Sequence, residues 1–519
     1  MSIHNLSNHI YSPSELMREH PYFFSIRELL MNSCKIRKRS DFIISFFCYN
    51  IDKPSKEMDI EIRMQSNILL FLFFSIIAAL IIRFLPPSRK KYGLFCLNII
   101  FYLLCDARFI ILILISTLWS FFCGRRLQQA NIRRKFWLCL GIVPVIFVLA
   151  FFKYYKFFIP NIHGALVILM PLGISYYTFK IISYVADIYL GKRDAEPSFI
   201  NYCIYVSFFP QIICGPISRS GDITGQIEHL ANPSLQMLTQ GYLLILSGLF
   251  KKLVIADRLN PYVNTIFADS SSYPALALWM AAFFYTIQIY CDFAGYSEIA
   301  IGVSHLLGFE CKPNFHLPYF SSSIKDFWRR WHISLSSWLR DYIYIPLGGN
   351  QKGLLRKDIN ILITFLVSGL WHGTGLNYIC WGLWHGLLNL LPIKKATNKG
   401  LYFLQILFNF ICVMFGWILF RAGTLKQALL FIQQMFMQIN LSIPSIISAV
   451  IPFTGDYSCL AYLLTVCMFI LILFLLELRD FSTSSDEASR HPYFKCLIYL
   501  LGIILFGMIG QNSFLYANF

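Results

Sequence analysis

Three histidines set in hydrophobic sequence are the residues of this chain best fitted for chemistry. His332 stands in LPYFSSSIKDFWRRWHISLSSWLRDYIYIPLGGN, residues 317 to 350. His372 and His385 are the centres of two Trp-His-Gly triplets in GLWHGTGLNYICWGLWHG, residues 369 to 386. A neutral imidazole carries one donor and one acceptor near physiological pH, the combination a general base needs. One histidine in apolar sequence is most simply a satisfied core residue; three in so short a stretch shift the balance towards function. Around His332, the charged residues Lys325, Asp326, Arg329, Arg330, Arg340 and Asp341 are packed between Phe327, Trp328, Trp331 and Trp338. A charge at the centre of a bilayer costs at least ~2.5 kcal/mol, so this segment belongs at the membrane interface or around a water-filled cavity, not against lipid. An interfacial aromatic and basic anchor with an incidental histidine is the plainer alternative for it.

Helical spacing puts Trp328, His332, Leu335 and Leu339 on one stripe, which predicts one helix carrying an imidazole inward and ending before Pro346, Gly348 and Gly349. Upstream, FFPQIICGPISRSGD breaks an apolar run at Pro210, Gly215 and Pro216, the pattern of a broken or re-entrant segment lining a cavity. The adjoining Arg219 is either a ligand for an anionic group or an interface anchor. In LFKKLVIADRL, Lys251 and Lys252 are placed at a membrane boundary, while Asp292 and Glu298 are expected to pair with arginines of the 325 to 341 segment.

Composition sets the class. The 519 residues include 49 Phe, 29 Tyr and 10 Trp, and only 14% are charged, against about 25% in soluble domains. The mean hydropathy of +0.58 agrees with one large polytopic membrane domain. The formal charge of +17 raises nucleic acid as a partner. The basic residues instead flank apolar runs, as in Arg89-Lys90-Lys91, Arg125-Arg126 and Arg133-Arg134-Lys135, which is the positive-inside pattern and argues against it. The 15 cysteines are scattered, with no Cys-x-x-Cys pair or regular zinc spacing, so neither a disulfide framework nor a cysteine metal site is expected.

Along the chain, residues 1 to 63 form a polar leader unlike the rest, with an apolar run at 41 to 50 too short to span a bilayer. Its basic character conflicts with the cytoplasmic side assigned to Arg89 to Lys91, so it is expected to be an added segment or a start-site artefact, with Met58 and Met64 as alternative starts. From residue 64 a membrane domain is expected to continue to 519. Spans are predicted near 66 to 85, 92 to 104, 108 to 123, 136 to 158, 164 to 188 and 236 to 256, then after 391 near 402 to 420, 459 to 477 and 493 to 510. The whole is an all-α fold of roughly eleven to thirteen membrane elements, at ~20 residues per full span, some of them short or broken.

The run FWRRWHISLSSWLRDYIYIPLGGN followed by two GLWHG segments resembles the membrane-bound O-acyltransferases, and within them the alginate O-acetyltransferase branch. YYTFKIISYVADIY (176 to 189), FFPQIICGPISR (208 to 219) and FAGYSEIAIG (293 to 302) carry the same likeness, which covers residues 66 to 519. The resemblance implies membrane helices around a central tunnel and O-acyl transfer from a cytoplasmic thioester, acetyl coenzyme A foremost, with no bound cofactor. The acceptor it implies is a hydroxyl of an exported or cell-surface polysaccharide. His372 matches the family's essential histidine, with His385 as runner-up and His332 as a residue that orients substrate. Arg329, Arg330, Lys251 and Lys252 would then attract the donor's phosphates. The terminal QNSFLYANF is similar to a tail in which a tyrosine takes the acyl group transiently, making Tyr516 a candidate relay. The implied partners are membrane lipid, the acyl-CoA or acyl-carrier donor and a separate secreted or periplasmic SGNH-type esterase-like transferase, with the chain in a bacterial inner membrane. D-alanyl transfer to teichoic acid on the same fold, a transporter or flippase, and an inert scaffold are the competing readings.

Overall fold

The computed structural model describes residues 68–158, 170–437, 439, 442–450, 459–482 and 492–508. The expectations for residues 1 to 63 and for Tyr516 lie outside them. Among the described residues the chain is helical, with no strand. Six stretches are long and apolar enough to cross a membrane: Pro87–Gln129, Arg134–Tyr155, Leu235–Ala268, Ala275–Leu306, Lys399–Arg421 and Ala461–Arg479. Ile68–Phe84 and Tyr493–Phe506 are shorter apolar helices, and the other described helices, Leu354–His372 with its 19 residues among them, do not combine that length and apolarity.

The chain begins with α1 (Ile68–Phe84), α2 (Pro87–Asp106) and α3 (Ile110–Gln129). The 3-10 turn Ala107–Phe109 folds α3 back on α2, so that Asn98, Tyr102, Ile113 and Thr117 line one small cavity. Next come α4 (Arg134–Phe158) and α5 (Ile174–Tyr189), whose N-terminus at Gly173 has φ +65° and lies too close to the Ile212 carbonyl for any Cβ. The Pro210 segment is a broken element, as the sequence suggested: α6 (Phe199–Ser207), α7 (Phe209–Ile212), then irregular backbone to α8 (Ser220–Glu228).

Two long helices form the spine. In α9 (Leu235–Leu249), capped by Ser234, Gly241 and Gly248 face Gly302 and Gly295 of α11 (Ala275–Leu306). A Cβ at Gly248 would lie 2.3 Å from the Gly295 carbonyl oxygen, so only glycine allows the backbones this close. Between α9 and α10 (Asp257–Ala268) the helix widens to a π turn, Phe250–Ala256, which carries Lys251 and Lys252 into the body of the protein.

Outside the spine, apolar side chains such as Phe73, Ile111 and Phe403 are exposed, while Lys180, Lys252, Asp292 and His385 are buried. Such an apolar exterior suits lipid, where polar groups are confined to the protein interior.

Candidate active site

His332 sits at a break. The expected continuous helix is two: α12 (Ile324–Arg330), capped by Ser323, and α13 (Ile333–Leu339), with His332 between them at φ 43°, ψ 56°. Among the described residues only Leu317 and His332 are non-glycines with positive φ. This is a costly conformation that persists where surroundings enforce it. Asn314 is what enforces it. Its side-chain oxygen accepts from Ser334 N at 3.1 Å and Ser334 Oγ at 2.9 Å and lies 3.3 Å from His332 Nδ1, while its carbonyl accepts from Ile333 N at 2.9 Å. The imidazole is buried edge-on to Phe293, ring centroids 4.7 Å apart. Sequence reasoning missed Asn314; its one signal was a turn-forming residue type after Pro313.

The two other histidines come from a close helix pair, α14 (Leu354–His372) and α15 (Leu376–Leu390). Each GLWHG segment opens with a glycine three residues before its histidine, which puts both on one helix face. Gly369 and Gly382 meet at the crossing: a Cβ on Gly369 would lie 2.4 Å from the Tyr378 carbonyl oxygen, and one on Gly382 would lie 2.4 Å from that of Phe365. The glycines bring the helices together and the histidines follow them inward.

His372 and His385 lie on either side of the Trp381 ring, at centroid distances of 4.9 and 5.2 Å. His372 also meets Trp371 at 4.5 Å and Phe420 at 5.1 Å. His385 meets Trp328 edge-on at 5.2 Å and lies parallel to Phe327 at 6.3 Å. A further helix, α16 (Lys399–Arg421), supplies Phe420 and Trp417, three residues apart on one face, and its Gly416 leaves room for His385, whose Nε2 would lie 2.5 Å from a Cβ there. Inside this aromatic box, both ring nitrogens of His385 and the indole nitrogen of Trp381 are buried without a partner among the described residues. Buried polar groups are normally paired, so these are candidates for contact with another molecule. His332 reaches the box through Trp331, which lies 4.8 Å from Trp417 and 5.5 Å from Phe327. The Trp417 and Phe420 contributions were not legible beforehand, because aromatic residues are common throughout the chain.

The expected cations divide. Arg329 is exposed, and Arg330 is half-buried and bonded to Asp326 at 3.0 Å. Lys251 and Lys252 are buried: Lys251 binds Glu298 and, at 2.7 Å, Glu477; Lys252 binds Asp292 at 2.7 Å and Asp257 at 2.8 Å. This corrects two expectations. Asp292 and Glu298 pair with these lysines instead of the 325 to 341 arginines, and lysines so enclosed do not present themselves to a donor's phosphates. Arg219, too, is committed: it pairs with Asp341 at 3.1 Å and stands over the Tyr342 ring at 4.5 Å. Among the described residues no three His, Cys, Asp or Glu side chains gather as a metal site would require.

Fold and site together define a polytopic helical membrane protein with histidines in an aromatic interior. Residues 192–419 match the model of the membrane-bound O-acyltransferase family. The chain is 38% identical over 384 residues to the probable alginate O-acetylase AlgI of Azotobacter vinelandii, covering 70% of this chain and 76% of that one. It is 30% identical over 487 residues to the peptidoglycan O-acetyltransferase of Helicobacter pylori, covering 83% and 92%. To the teichoic acid D-alanyltransferase of Bacillus subtilis it is 28% identical over 385 residues, covering 67% and 96%. The chain belongs to the membrane-bound O-acyltransferase family and is an O-acyltransferase; the transporter and scaffold readings fall away.

Proposed function

We propose that this enzyme moves an acetyl group from a cytoplasmic thioester, acetyl coenzyme A, towards a hydroxyl of an exported glycan, with His372 as the base. The observation that carries the reading is the pair His372 and His385 held on either side of Trp381, with the nitrogens of His385 and Trp381 unpartnered among the described residues. His372 takes the hydroxyl proton as the oxygen attacks the thioester carbonyl; the C–S bond breaks, and the imidazolium returns the proton to the departing thiolate. His385 and the Trp381 indole are placed to hold the hydroxyl or the carbonyl oxygen on which charge develops. His332, fixed by Asn314, orients substrate beside them. Exposed Arg329 attracts the donor's phosphates, assisted by Arg330.

The greater identity to alginate O-acetylases than to the D-alanyltransferase favours acetyl as the cargo. The acceptor class is a polysaccharide in a bacterial envelope, reached from the inner membrane through a separate SGNH-type esterase-like transferase, with Tyr516 as the residue that holds the acyl group in passing. The test is transfer of radiolabel in inner-membrane vesicles containing the full chain. Label from acetyl coenzyme A should enter exported glycan, or the partner transferase, only when the enzyme is present. Label arriving from a D-alanyl carrier instead would overturn the acetyl reading.

A further inference from the structure

The helix that carries His372 stops at that residue, and the chain leaves it through Gly373 in an extended conformation. The last carbonyls of a helix have no amide donor within it. Gly373 N still reaches the Gly369 carbonyl at 3.3 Å, which leaves those of Leu370 and Trp371 as the next to be satisfied. Both are met from α4. Lys153 Nζ donates to the Trp371 carbonyl and stands 5.0 Å from the centroid of the Trp371 ring; the Tyr154 hydroxyl donates to the Leu370 carbonyl at 2.5 Å.

A lysine towards the end of a membrane helix ordinarily extends its ammonium to the headgroups. Lys153 turns it onto the protein, at the negative end of the helix dipole, where a cation is most favourable. The two side chains are consecutive in α4, so together they fix the helix end in position and in rotation about its axis. The residue after Trp371 is His372, and its ring must keep its place against Trp381 and Phe420. Neither Lys153 nor Tyr154 lies within the family-matched residues 192–419.

We propose that Lys153 is a positioning residue for acyl transfer: with Tyr154 it clamps the end of α14 and so sets the place of the His372 ring. The inference rests on His372 being the base. Displacement of a reacting group by about an ångström costs on the order of 100-fold in rate, and this effect falls on turnover more than on donor binding. The test compares wild type, K153M, K153R and Y154F as full-length protein in vesicles, after equal amounts of folded protein are confirmed by size exclusion. K153M should lower kcat by on the order of 10- to 100-fold while the KM for acetyl coenzyme A stays within about twofold. K153R, which still donates to the carbonyl, should recover most of that loss, and Y154F should lose about threefold. If K153M is not recovered folded, K153R and Y154F carry the test, and wild-type kcat in Y154F overturns the clamp. Wild-type kcat in K153M, or a loss carried wholly by KM, overturns it as well. An inactive H372A protein beside a fully active K153M protein removes the clamp alone, whereas an active H372A protein removes the base assignment and the clamp with it.

Discussion

Lys251 and Lys252 meet Glu298, Glu477, Asp292 and Asp257 in the interior of the protein, whereas His385, equally buried, is set among the rings of Trp328 and Trp381. Both regions place polar atoms where water is scarce, and both depend on glycine crossings that bring two helices together. They differ in what is left over. In the lysine cluster each ammonium has two carboxylates, and Glu477 also accepts from the Tyr290 hydroxyl at 2.8 and 3.0 Å. In the histidine box, ring nitrogens of His385 and Trp381 have no partner among the described residues. The lysine cluster commits its charges to one another and holds the fold, leaving Glu298 Oε2 without a hydrogen bond among the described residues; in the histidine box neither His385 nor the Trp381 indole has one, which suits a substrate site. Charge alone would have ranked the two the other way round.

Substitutions in either region separate the two roles, and the largest effect belongs to the lysine cluster. K251M leaves Glu298 and Glu477 without their cation and should cost about 3–5 kcal/mol of stability. That loss is read as a fall in folded yield and thermal midpoint in detergent, with the KM for acetyl coenzyme A unchanged in the molecules that fold. A raised KM at normal stability would return Lys251 to donor binding. H385A should do the reverse, preserving the thermal midpoint while lowering kcat by on the order of 100-fold. N314A should release the strained turn at His332 and lower kcat by about tenfold, with only about 1 kcal/mol lost in stability. R329A should give the smallest effect, a rise in KM for acetyl coenzyme A of about threefold that shrinks as salt is added, with kcat unchanged.

How far the sequence disclosed this arrangement depended on range. The GLWHG segments were legible because their chemistry is local: glycine and histidine three residues apart share a helix face whatever surrounds them. The break at His332 was not, since Trp328, His332, Leu335 and Leu339 satisfy helical periodicity perfectly well. What overrides it is Asn314, 18 residues upstream, whose hydrogen bonds make the αL turn. The lysine partners were hidden for a similar reason. Helical spacing tells which face Asp292 occupies but not which helix lies across from it, and the helix Cys459–Ser482, which provides Glu477, is distant in the chain. Basic residues beside apolar runs were read as boundary markers, and the π turn at Phe250–Ala256, which turns Lys251 and Lys252 inward, has no sequence signature of its own. Arg219 and Lys153 likewise acquired their roles from partners across the fold.

In the proposed mechanism an imidazole at the end of α14 removes the acceptor's proton. This step is tested most directly by reconstituting H372A in vesicles and following acetyl transfer from labelled acetyl coenzyme A in a single turnover. The H372A protein should insert, fold and bind donor as wild type does yet transfer acetyl on the order of 1,000 times more slowly. Transfer by H372A at the wild-type rate would contradict it.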